Sequence, residues 1–504
     1  MRVRAVAEGV DERVYAHKLR FLTFDESWKL FEQRAFGNMQ RVDEDLQKIG
    51  KEMVQKCGGL PLAIVVLAGL LSRMRKNEWH EMCTSLWRRL KDNSIHVSTS
   101  VFDLRFKEMR QELKLCFLYL SVFPEDYEIN VKDLIRLLVA EGFIQKDEEM
   151  TMEDLARYYI EELIDRSLVK AEKIERRKVM SCRIHDLLRD VAIKKAKELN
   201  FVNVYNDQHS STSCRREVSH HLINNRYLCD RRVNKGLRSL LFFGQGPGIS
   251  GGYVETFTLK LKLLRVLNLG GLMFLFHGEF HFSLPAVIGE LIHLRYLGVA
   301  DTGLNNLPAF ISNLRFLQTL DAGGKQSLDF ERTTDLSKLT SLRHVIGKFV
   351  GELLIGDAGN LQTLRSISSY SWSKLKHESL KNLRDLEIYD QYSTWEHQKI
   401  FPLDLVSLSK LTNLRVLKLE VKIFNLLLSE SEEAVRFQFL VELTLHCDIR
   451  KLPKDMDLIF PSLEMFRLQG SKLEEDPMLV LQKLPRLEDL VLEYCHQIWS
   501  AEEA

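Results

Sequence analysis

One hydrophobic pattern, Leu-x-x-Leu-x-apolar, recurs through the C-terminal half of the chain, as in Leu264, Leu267 and Leu269. Its first leucine returns after 19 to 31 residues, a spacing typical of stacked-repeat proteins. Each copy predicts one short strand whose alternate side chains enter a shared core, because a single copy could not bury its leucines alone. The pattern predicts a solenoid with a concave face free for partners. The eleven first leucines are Leu237, Leu264, Leu294, Leu314, Leu342, Leu361, Leu383, Leu414, Leu440, Leu463 and Leu487.

An arginine directly follows the first leucine in most copies, which predicts a row of arginines along one edge of the solenoid. In the last three copies Val441, Glu464 and Glu488 replace it, so the row turns from basic to neutral or acidic. Either each arginine pairs with a local carboxylate, or the gradient orients a partner. The seven arginines are Arg238, Arg265, Arg295, Arg315, Arg343, Arg384 and Arg415.

The first hundred residues show helical periodicity and helix-boundary signals. Thr23 and Glu26 form a capping-box pattern at the start of one helix. A second helix is predicted over about 44–57, ending at Gly58-Gly59, where glycine can adopt the left-handed conformation. Pro61 opens a third helix that is apolar nearly all round and therefore buried.

Residues 111–200 predict three helices, two short strands and a final helix from Asp186, which is a winged-helix arrangement. Residues 175–178 of the wing are basic, but the preceding helix over 151–167 is acidic and would repel phosphates. We therefore predict no nucleic-acid partner. Residues 201–235 carry polar runs and read as a connector.

Composition and charge exclude several classes of protein. The net charge of +1 over 504 residues gives no bulk attraction to nucleic acid or anionic membranes. The eight cysteines contain no C-x-x-C pair, and no N-x-[ST] sequon occurs, which argues against a disulfide framework, a zinc site and secretion. No apolar run is long enough to span a bilayer. We expect a cytoplasmic protein with no transmembrane segment and no metal site.

Four ordered blocks resemble the NB-ARC leucine-rich-repeat family of plant intracellular disease-resistance proteins, and within it the coiled-coil class. They are HKLRFLTFDESWKLFEQRAF at 17–36, CGGLPLA at 57–63, CFLYLSVFPEDYEI at 116–129 and IHDLLRDVA at 184–192. The resemblance implies an α/β multidomain fold with a helical ARC subdomain, a winged-helix subdomain and a C-terminal leucine-rich-repeat solenoid. The implied domains are 1–22, a remnant of the nucleotide-binding domain; 23–100, the helical ARC subdomain; 101–200, the winged helix; 201–235, the connector; and 236–504, the repeats.

The resemblance also implies a nucleotide site for ADP or ATP. In the family, the residue at the position of Pro61 packs on the adenine ring, and the histidine at the position of His185 contacts the β-phosphate of ADP. Each residue has a purely structural explanation as well, since Pro61 suits the first turn of a helix and His185 precedes one. Ile184 replaces the methionine of the family's Met-His-Asp motif.

The phosphate-binding part of that site is missing from the sequence. The pattern G-x-x-x-x-G-K-[ST], whose backbone and lysine hold phosphates, does not occur, and no Walker-B acidic strand is found. We therefore interpret the chain as N-terminally truncated, predict no catalytic residues and no ATPase activity, and expect no stably bound nucleotide. The histidines form no H-E-x-x-H motif, and no G-x-S-x-G elbow is present.

These observations predict a fragment of an intracellular immune receptor that recognises a pathogen effector or a guarded host protein through its repeats. The role implied by the family is plant defense, innate immunity and the hypersensitive response. Contact with an NB-ARC module, intramolecular or in trans, is a further expected interaction, with the basic N-terminal repeats docking on acidic residues such as Glu153 and Glu162. The alternatives are a residual ADP/ATP-dependent switch that obtains its P-loop half elsewhere, and an inert fragment of a decayed gene.

Overall fold

The computed structural model describes most of the chain, including the four predicted helices of 111–200 and all eleven predicted repeat strands. The assignments of residues 1–19 and 81–105 lie outside the described residues. The described residues are 20–37, 43–59, 61–72, 74–75, 78–80, 106–205, 216–219, 236–243, 246–250, 261–275, 284–324, 329–390, 401, 403–421, 424–425 and 435–497.

The chain divides into two compact units. The first comprises Met1–Ser121, Glu125–Ile135 and Phe143–Lys195. The second comprises Val122–Pro124, Arg136–Gly142 and Ala196–Ala504. The C-terminal half of the helix Val131–Glu141 therefore belongs to the same unit as the repeats.

Helix α1, Phe24–Ala35, begins at the predicted capping box. Thr23 Oγ1 accepts the Glu26 N–H at 3.3 Å, and the Glu26 carboxylate accepts the Thr23 N–H at 2.8 Å. Phe31 and Ala35 lie in the core. Two of the first four free N–H groups of the helix region are thereby satisfied locally, which explains why the start can be read from sequence.

Helices α2, Glu44–Lys56, and α3, Pro61–Leu71, are separated by the predicted glycine break. Gly58 and Gly59 have φ of +58° and +73°. A Cβ on Gly59 would lie 2.3 Å from the carbonyl oxygen of Leu22, so glycine is required there by space as well as by φ. Helix α3 starts at Pro61, as predicted.

The winged-helix region contains one strand more than the sequence predicts. Ile129–Asn130 pairs antiparallel with Lys178–Arg183, which also pairs with Lys170–Glu175, so the sheet has three strands rather than two. A strand of two residues is too short to show alternation. The helices are α4, Gln111–Tyr119; α5, Val131–Glu141; α6, Met152–Asp165; and α7, Asp186–Glu198, with a 3₁₀ turn at Leu120–Val122.

The repeats build one parallel sheet of thirteen strands in chain order. Its first two strands lie in the segment that we interpret as a connector from the sequence. The strands are Asn203–Tyr205, Arg216–Ser219, Ser239–Phe242, Val266–Asn268, Tyr296–Gly298, Thr319–Asp321, His344–Phe349, Thr363–Ile367, Asp385–Tyr389, Val416–Glu420, Glu442–His446, Met465–Gln469 and Asp489–Glu493.

Short elements connect these strands. Four pairs of parallel strands lie outside the main sheet: Gly246–Ser250 with Leu272–Leu275, Thr334–Asp335 with Leu353–Leu354, Leu403–Asp404 with Phe424–Asn425, and Lys472–Leu473 with His496–Gln497. The short helices are Ala286–Glu290, Ala309–Asn313, Ser369–Lys374, His377–Ser379, Leu405–Ser409, Met456–Ile459 and Met478–Leu481.

The predicted leucine ladder forms a continuous buried core. In one repeat, however, the predicted register is wrong by three residues. Thr319 pairs with Tyr296, so Leu317, and not Leu314, is the first leucine of that strand. Both leucines are buried. Leu314 lies in the turn that precedes the strand, where its carbonyl accepts the Leu317 N–H. The apolar Ala322, which completes the pattern begun at Leu317, is the sequence signal for the correct register.

Candidate functional site on the open face of the repeat sheet

The side chains that alternate with the leucines form the face of the sheet opposite the core, which we call the open sheet face. In the strand Val416–Glu420, Leu417 and Leu419 are buried, whereas the residues between and beside them are half-buried. The same alternation repeats in Glu442–His446 and Met465–Gln469. A pleated strand presents every second residue to each side, so the open sheet face is built from residues that the core does not use.

Arg365 and Asp385 form an ion pair on this face. Arg365 Nε lies 2.9 Å from Asp385 Oδ1, and Arg365 Nη2 lies 2.5 Å from Oδ2, so the pair is bidentate across neighbouring strands. Burial by itself lowers the pKa of Arg365, but the charge and hydrogen bonds of Asp385 outweigh it and raise the pKa above its ordinary value. The two planar groups hold each other in one geometry.

Further polar pairs join neighbouring strands on both sides of that contact. The Tyr296 hydroxyl donates to Asp321 Oδ2 at 3.2 Å, and His344 Nδ1 lies 3.1 Å from Thr363 Oγ1. The pairs continue toward the C-terminal strands, where His446 Nδ1 lies 3.5 Å from Glu420 Oε1 and Gln469 donates to Glu493 at 3.1 Å.

This arrangement is suited to recognition of a protein surface. Donors and acceptors are fixed on rigid strands, so they can read the side chains of a partner with little loss of conformational freedom. Among the described residues, no group of three or more His, Cys, Asp or Glu side chains could hold a metal ion.

The arginine row exists, but Arg315 is not part of it. The carbonyl of Arg265 accepts the N–H groups of Arg295 and Tyr296, and the carbonyl of Arg295 accepts those of Gln318 and Thr319. Gln318 therefore occupies the place in the row that the sequence assigns to Arg315. Arg315 instead lies exposed in the turn before the strand.

The row approaches the C-terminal end of helix α5 within the second unit. A Cβ on Gly142 would lie 3.2 Å from Nη1 of Arg295 and 3.8 Å from Nη1 of Arg265. Burial, and then the neighbouring charge of Arg295, lower the pKa of Arg265. Cations are favoured at the end of a helix, where carbonyl groups are unsatisfied.

The predicted partner of the row, Glu162, is engaged elsewhere. Its carboxylate accepts hydrogen bonds from Arg110 at 2.7 Å and from Arg166 at 2.6 Å, and its side chain is buried. Glu141, at the end of helix α5, is within electrostatic range of Arg265. The acidic residues that we expect from the sequence to meet the basic repeats are therefore not all available, because Glu162 is paired with its own neighbours.

The two residues implied for nucleotide contact both lie at helix starts. Pro61 is the exposed first residue of α3, and His185 is exposed and directly precedes α7, with its carbonyl accepting the Arg189 N–H at 2.8 Å. Ile184 beside it is buried. Both rings are accessible to a ligand, and both also serve the structural roles that the sequence suggests.

Sequence reasoning missed the cross-strand pairs of the open sheet face. His344 and Thr363 are 19 residues apart, and Arg365 and Asp385 are 20 apart. Only the register of the strands brings them together. The signal in the sequence is polar residues two and four positions after each first leucine, which become neighbours once the repeats are aligned.

Two family models match this chain, one described as Leucine-rich repeat region over residues 236–503 and one described as Disease resistance protein Winged helix domain over residues 122–192. The chain is 69% identical to the disease resistance RPP13-like protein 3 of Arabidopsis thaliana, over 98% of this chain and 56% of that protein. It belongs to the NB-ARC leucine-rich-repeat family of plant disease-resistance proteins. Identity to the disease resistance protein RPP13 of the same plant is 60%, over 98% and 56% of the two chains.

This resistance-family chain thus spans little more than half the length of these relatives. Among solved structures, a leucine-rich-repeat protein of Leptospira interrogans is 22% identical with a TM-score of 0.37, covering 56% of this chain and 72% of that one. None of the described helices is both long and apolar enough to cross a bilayer. The α/β multidomain fold with a winged helix and a repeat solenoid is confirmed.

Proposed function

We propose that this chain recognises a protein ligand in plant defense, either a pathogen effector or a host protein that such an effector modifies. The open sheet face performs this recognition, and the observation that carries the proposal is its row of fixed polar pairs. The disease-resistance relatives support the same role, because their identity to this chain extends over 98% of it and so over its repeat region.

The open sheet face is best tested at a side chain that is accessible and is not one of the cross-strand polar pairs described above. Lys418 lies half-buried on the open sheet face, between Leu417 and Leu419 of the core. Lys410 is an exposed lysine at the end of the short helix before that strand, so it offers a control of the same charge off the face. Replacing either lysine should leave the core intact.

The experiment is complementation in a plant line from which the coding sequence has been deleted. We expect the line to lose resistance to at least one pathogen isolate, the wild-type sequence and Lys410→Glu to restore it, and Lys418→Glu to restore it poorly. Unchanged resistance of the deleted line to a broad isolate panel would overturn the proposal. Full rescue by Lys418→Glu, and equally by Arg467→Glu two strands further along the sheet, would move recognition away from this face.

We also propose that the chain works by binding and not by catalysis. Pro61 and His185 are accessible to an adenine ring and a phosphate, but neither supplies the backbone cradle that phosphate transfer needs. We expect the purified chain to hydrolyse no ATP above a buffer control and to bind ADP weakly or not at all. Turnover that survives further purification and disappears in a His185→Ala variant would favour the nucleotide-switch alternative.

The proposed site of action is the cytoplasm. Cys57, Cys116, Cys182 and Cys447 are buried free thiols, and Cys495 is a half-buried one, a state that suits a reducing compartment. A fluorescent fusion expressed at native level in leaf cells should fill the cytoplasm; accumulation in the secretory pathway would refute this assignment.

A further inference from the structure

Successive coils of the solenoid enter their strands through the same tight turn. The Leu264 N–H donates to the carbonyl of Leu261 at 3.1 Å, which leaves residues 262–263 at the outer corner. Equivalent bonds close the turns before Leu294, at 2.9 Å, and Leu317, at 2.8 Å. We call the two residues enclosed by this bond the entry turn of a coil.

In the middle coils the entry turns are polar and bonded to one another. An asparagine occupies the second position of three consecutive turns, and its amide donates to a carbonyl in the entry turn of the preceding coil. These bonds join Asn360 to Thr340 over 3.2 Å, Asn382 to Gly359 over 2.5 Å and Asn413 to Lys381 over 2.8 Å. The fold therefore needs no apolar side chain at this corner.

Three consecutive N-terminal coils depart from that rule. Their entry turns carry Leu263, Ile292 and Phe316, which are 47%, 54% and 57% exposed. Single exposed apolar residues are common, but three in the equivalent turns of adjacent coils form an apolar stripe along the solenoid. Since polar residues or glycine fill both positions of this turn in the middle coils further along the solenoid, folding does not account for these side chains.

Each of these three turns also carries one basic residue. The pairs are Lys262 with Leu263, His293 with Ile292, and Arg315 with Phe316. Lys262 contacts the carboxylate of Glu290, whereas Arg315 makes no ion pair with any residue that the structure describes. The stripe is therefore flanked by the cationic side chains of Lys262 and Arg315, with a histidine between them, and the complementary partner is acidic.

The spacing of the coils matches that of a helix. The strands that follow the three turns pair in parallel, Val266 with Tyr296 and Tyr296 with Thr319. Neighbouring strands lie about 4.8 Å apart, so the three turns span about 10 Å. An α-helix rises about 5.4 Å per turn, so apolar residues at i, i+3 or i+4, and i+7 would meet successive coils.

We propose that the three entry turns at 262–263, 292–293 and 315–316, which we name the entry-turn ridge, bind an acidic amphipathic helix of a partner protein. Apolar side chains of that helix pack on Leu263, Ile292 and Phe316. Carboxylates beside them accept hydrogen bonds from Lys262, His293 and Arg315. The ridge is a second surface, separate in sequence from the open sheet face, and its test is independent of the proposed function.

The test uses the full chain and a labelled synthetic helix of about 18 residues, with leucines on one face and glutamates beside them. We expect saturable binding by fluorescence anisotropy. The variant Leu263→Asn, Ile292→Asn, Phe316→Asn should weaken it at least about tenfold without lowering the Tm, because the entry turns of the middle coils carry no apolar side chain at either position. Phe439→Asn is the matched control, since Phe439 is 52% exposed in the entry turn of a distant coil and should leave the affinity unchanged.

A charge reversal tests the acidic character of the partner. Arg315→Glu should weaken binding of the glutamate peptide and strengthen binding of a peptide in which lysine replaces every glutamate. The proposal fails if the glutamate peptide shows no saturable binding, if the triple variant binds it as well as the wild type does, or if the wild type binds both peptides equally. If the wild type sediments as a dimer and the triple variant as a monomer, the ridge binds a second copy of the chain instead. That result would overturn the partner-helix assignment.

Discussion

Glu141 and Arg216 form a buried ion pair, with Arg216 Nε donating to Glu141 Oε2 at 2.8 Å. The two side chains are 0% and 9% exposed. The Arg216 guanidinium also lies 4.4 Å from the ring centroid of Phe201. The end of helix α5 is thereby fixed to the second strand of the repeat sheet within the second unit.

Removing one partner of this pair should destabilise the chain strongly. Arg216→Met leaves the Glu141 charge buried and unpaired, which costs about 3 to 5 kcal/mol in comparable pairs. The double variant with Glu141→Leu should recover a large part of that loss. Urea unfolding of the wild type, both single variants and the double variant measures the coupling; a loss below about 1 kcal/mol for Arg216→Met would contradict the burial of the pair.

The leucine ladder gives a second prediction. Leu417 is fully buried, so Leu417→Ala should lower the free energy of unfolding by about 2 to 5 kcal/mol. Leu458→Ala is the control, because Leu458 is largely exposed and its truncation should change stability little. Thermal unfolding followed by circular dichroism compares the two, and equal effects would show that the inward register of Leu417 is wrong.

The features that sequence alone predicted are those set by local interactions. Thr23 and Glu26 are three residues apart and satisfy each other's backbone, so the start of α1 is readable without knowing the rest of the fold. The left-handed glycine at Gly59 and the helix start at Pro61 are equally local. The repeat core was predictable because its leucines recur at the spacing of the coil.

The features that were missed depend on register between distant residues. Two overlapping copies of the leucine pattern occur around Leu314 and Leu317, and only pairing of Thr319 with Tyr296 selects the second. That choice moves Arg315 from the arginine row to an entry turn. A three-residue error of alignment therefore changes the chemistry of two surfaces while leaving the predicted core almost unaltered.

Glu162 predicts a pH dependence of stability. Burial raises the pKa of Glu162, but hydrogen bonds from Arg110 and Arg166 more than offset this and hold the pKa below its ordinary value of 4.5. A carboxylate with a lowered folded-state pKa contributes stability that is present above the ordinary value and lost as the pH falls below it. Glu162→Gln should therefore flatten the fall in Tm between about pH 5 and pH 3.

Glu161→Gln is the matched control, because the adjacent Glu161 makes no ion pair with a described residue and should leave the pH profile as in the wild type. Parallel Tm profiles for the wild type and Glu162→Gln across this range would show that the contacts of Glu162 with the two arginines do not stabilise the folded chain. Differential scanning fluorimetry at constant ionic strength keeps salt screening from obscuring the comparison.

The buried thiols predict an order of chemical reactivity. Burial raises the pKa of Cys57, Cys116, Cys182 and Cys447 to about 12, so almost none of each is thiolate at neutral pH. The thiolate is the nucleophile, and access to these four sulfurs is also blocked.

Cys495 is only half-buried. Iodoacetamide at pH 7.5 should therefore alkylate Cys495 well before the other four, and peptide mass spectrometry at successive times measures the order. Unfolding in urea should abolish the difference; rapid native labelling of Cys57 or Cys182 would mean that the first unit opens readily or packs differently around these sulfurs.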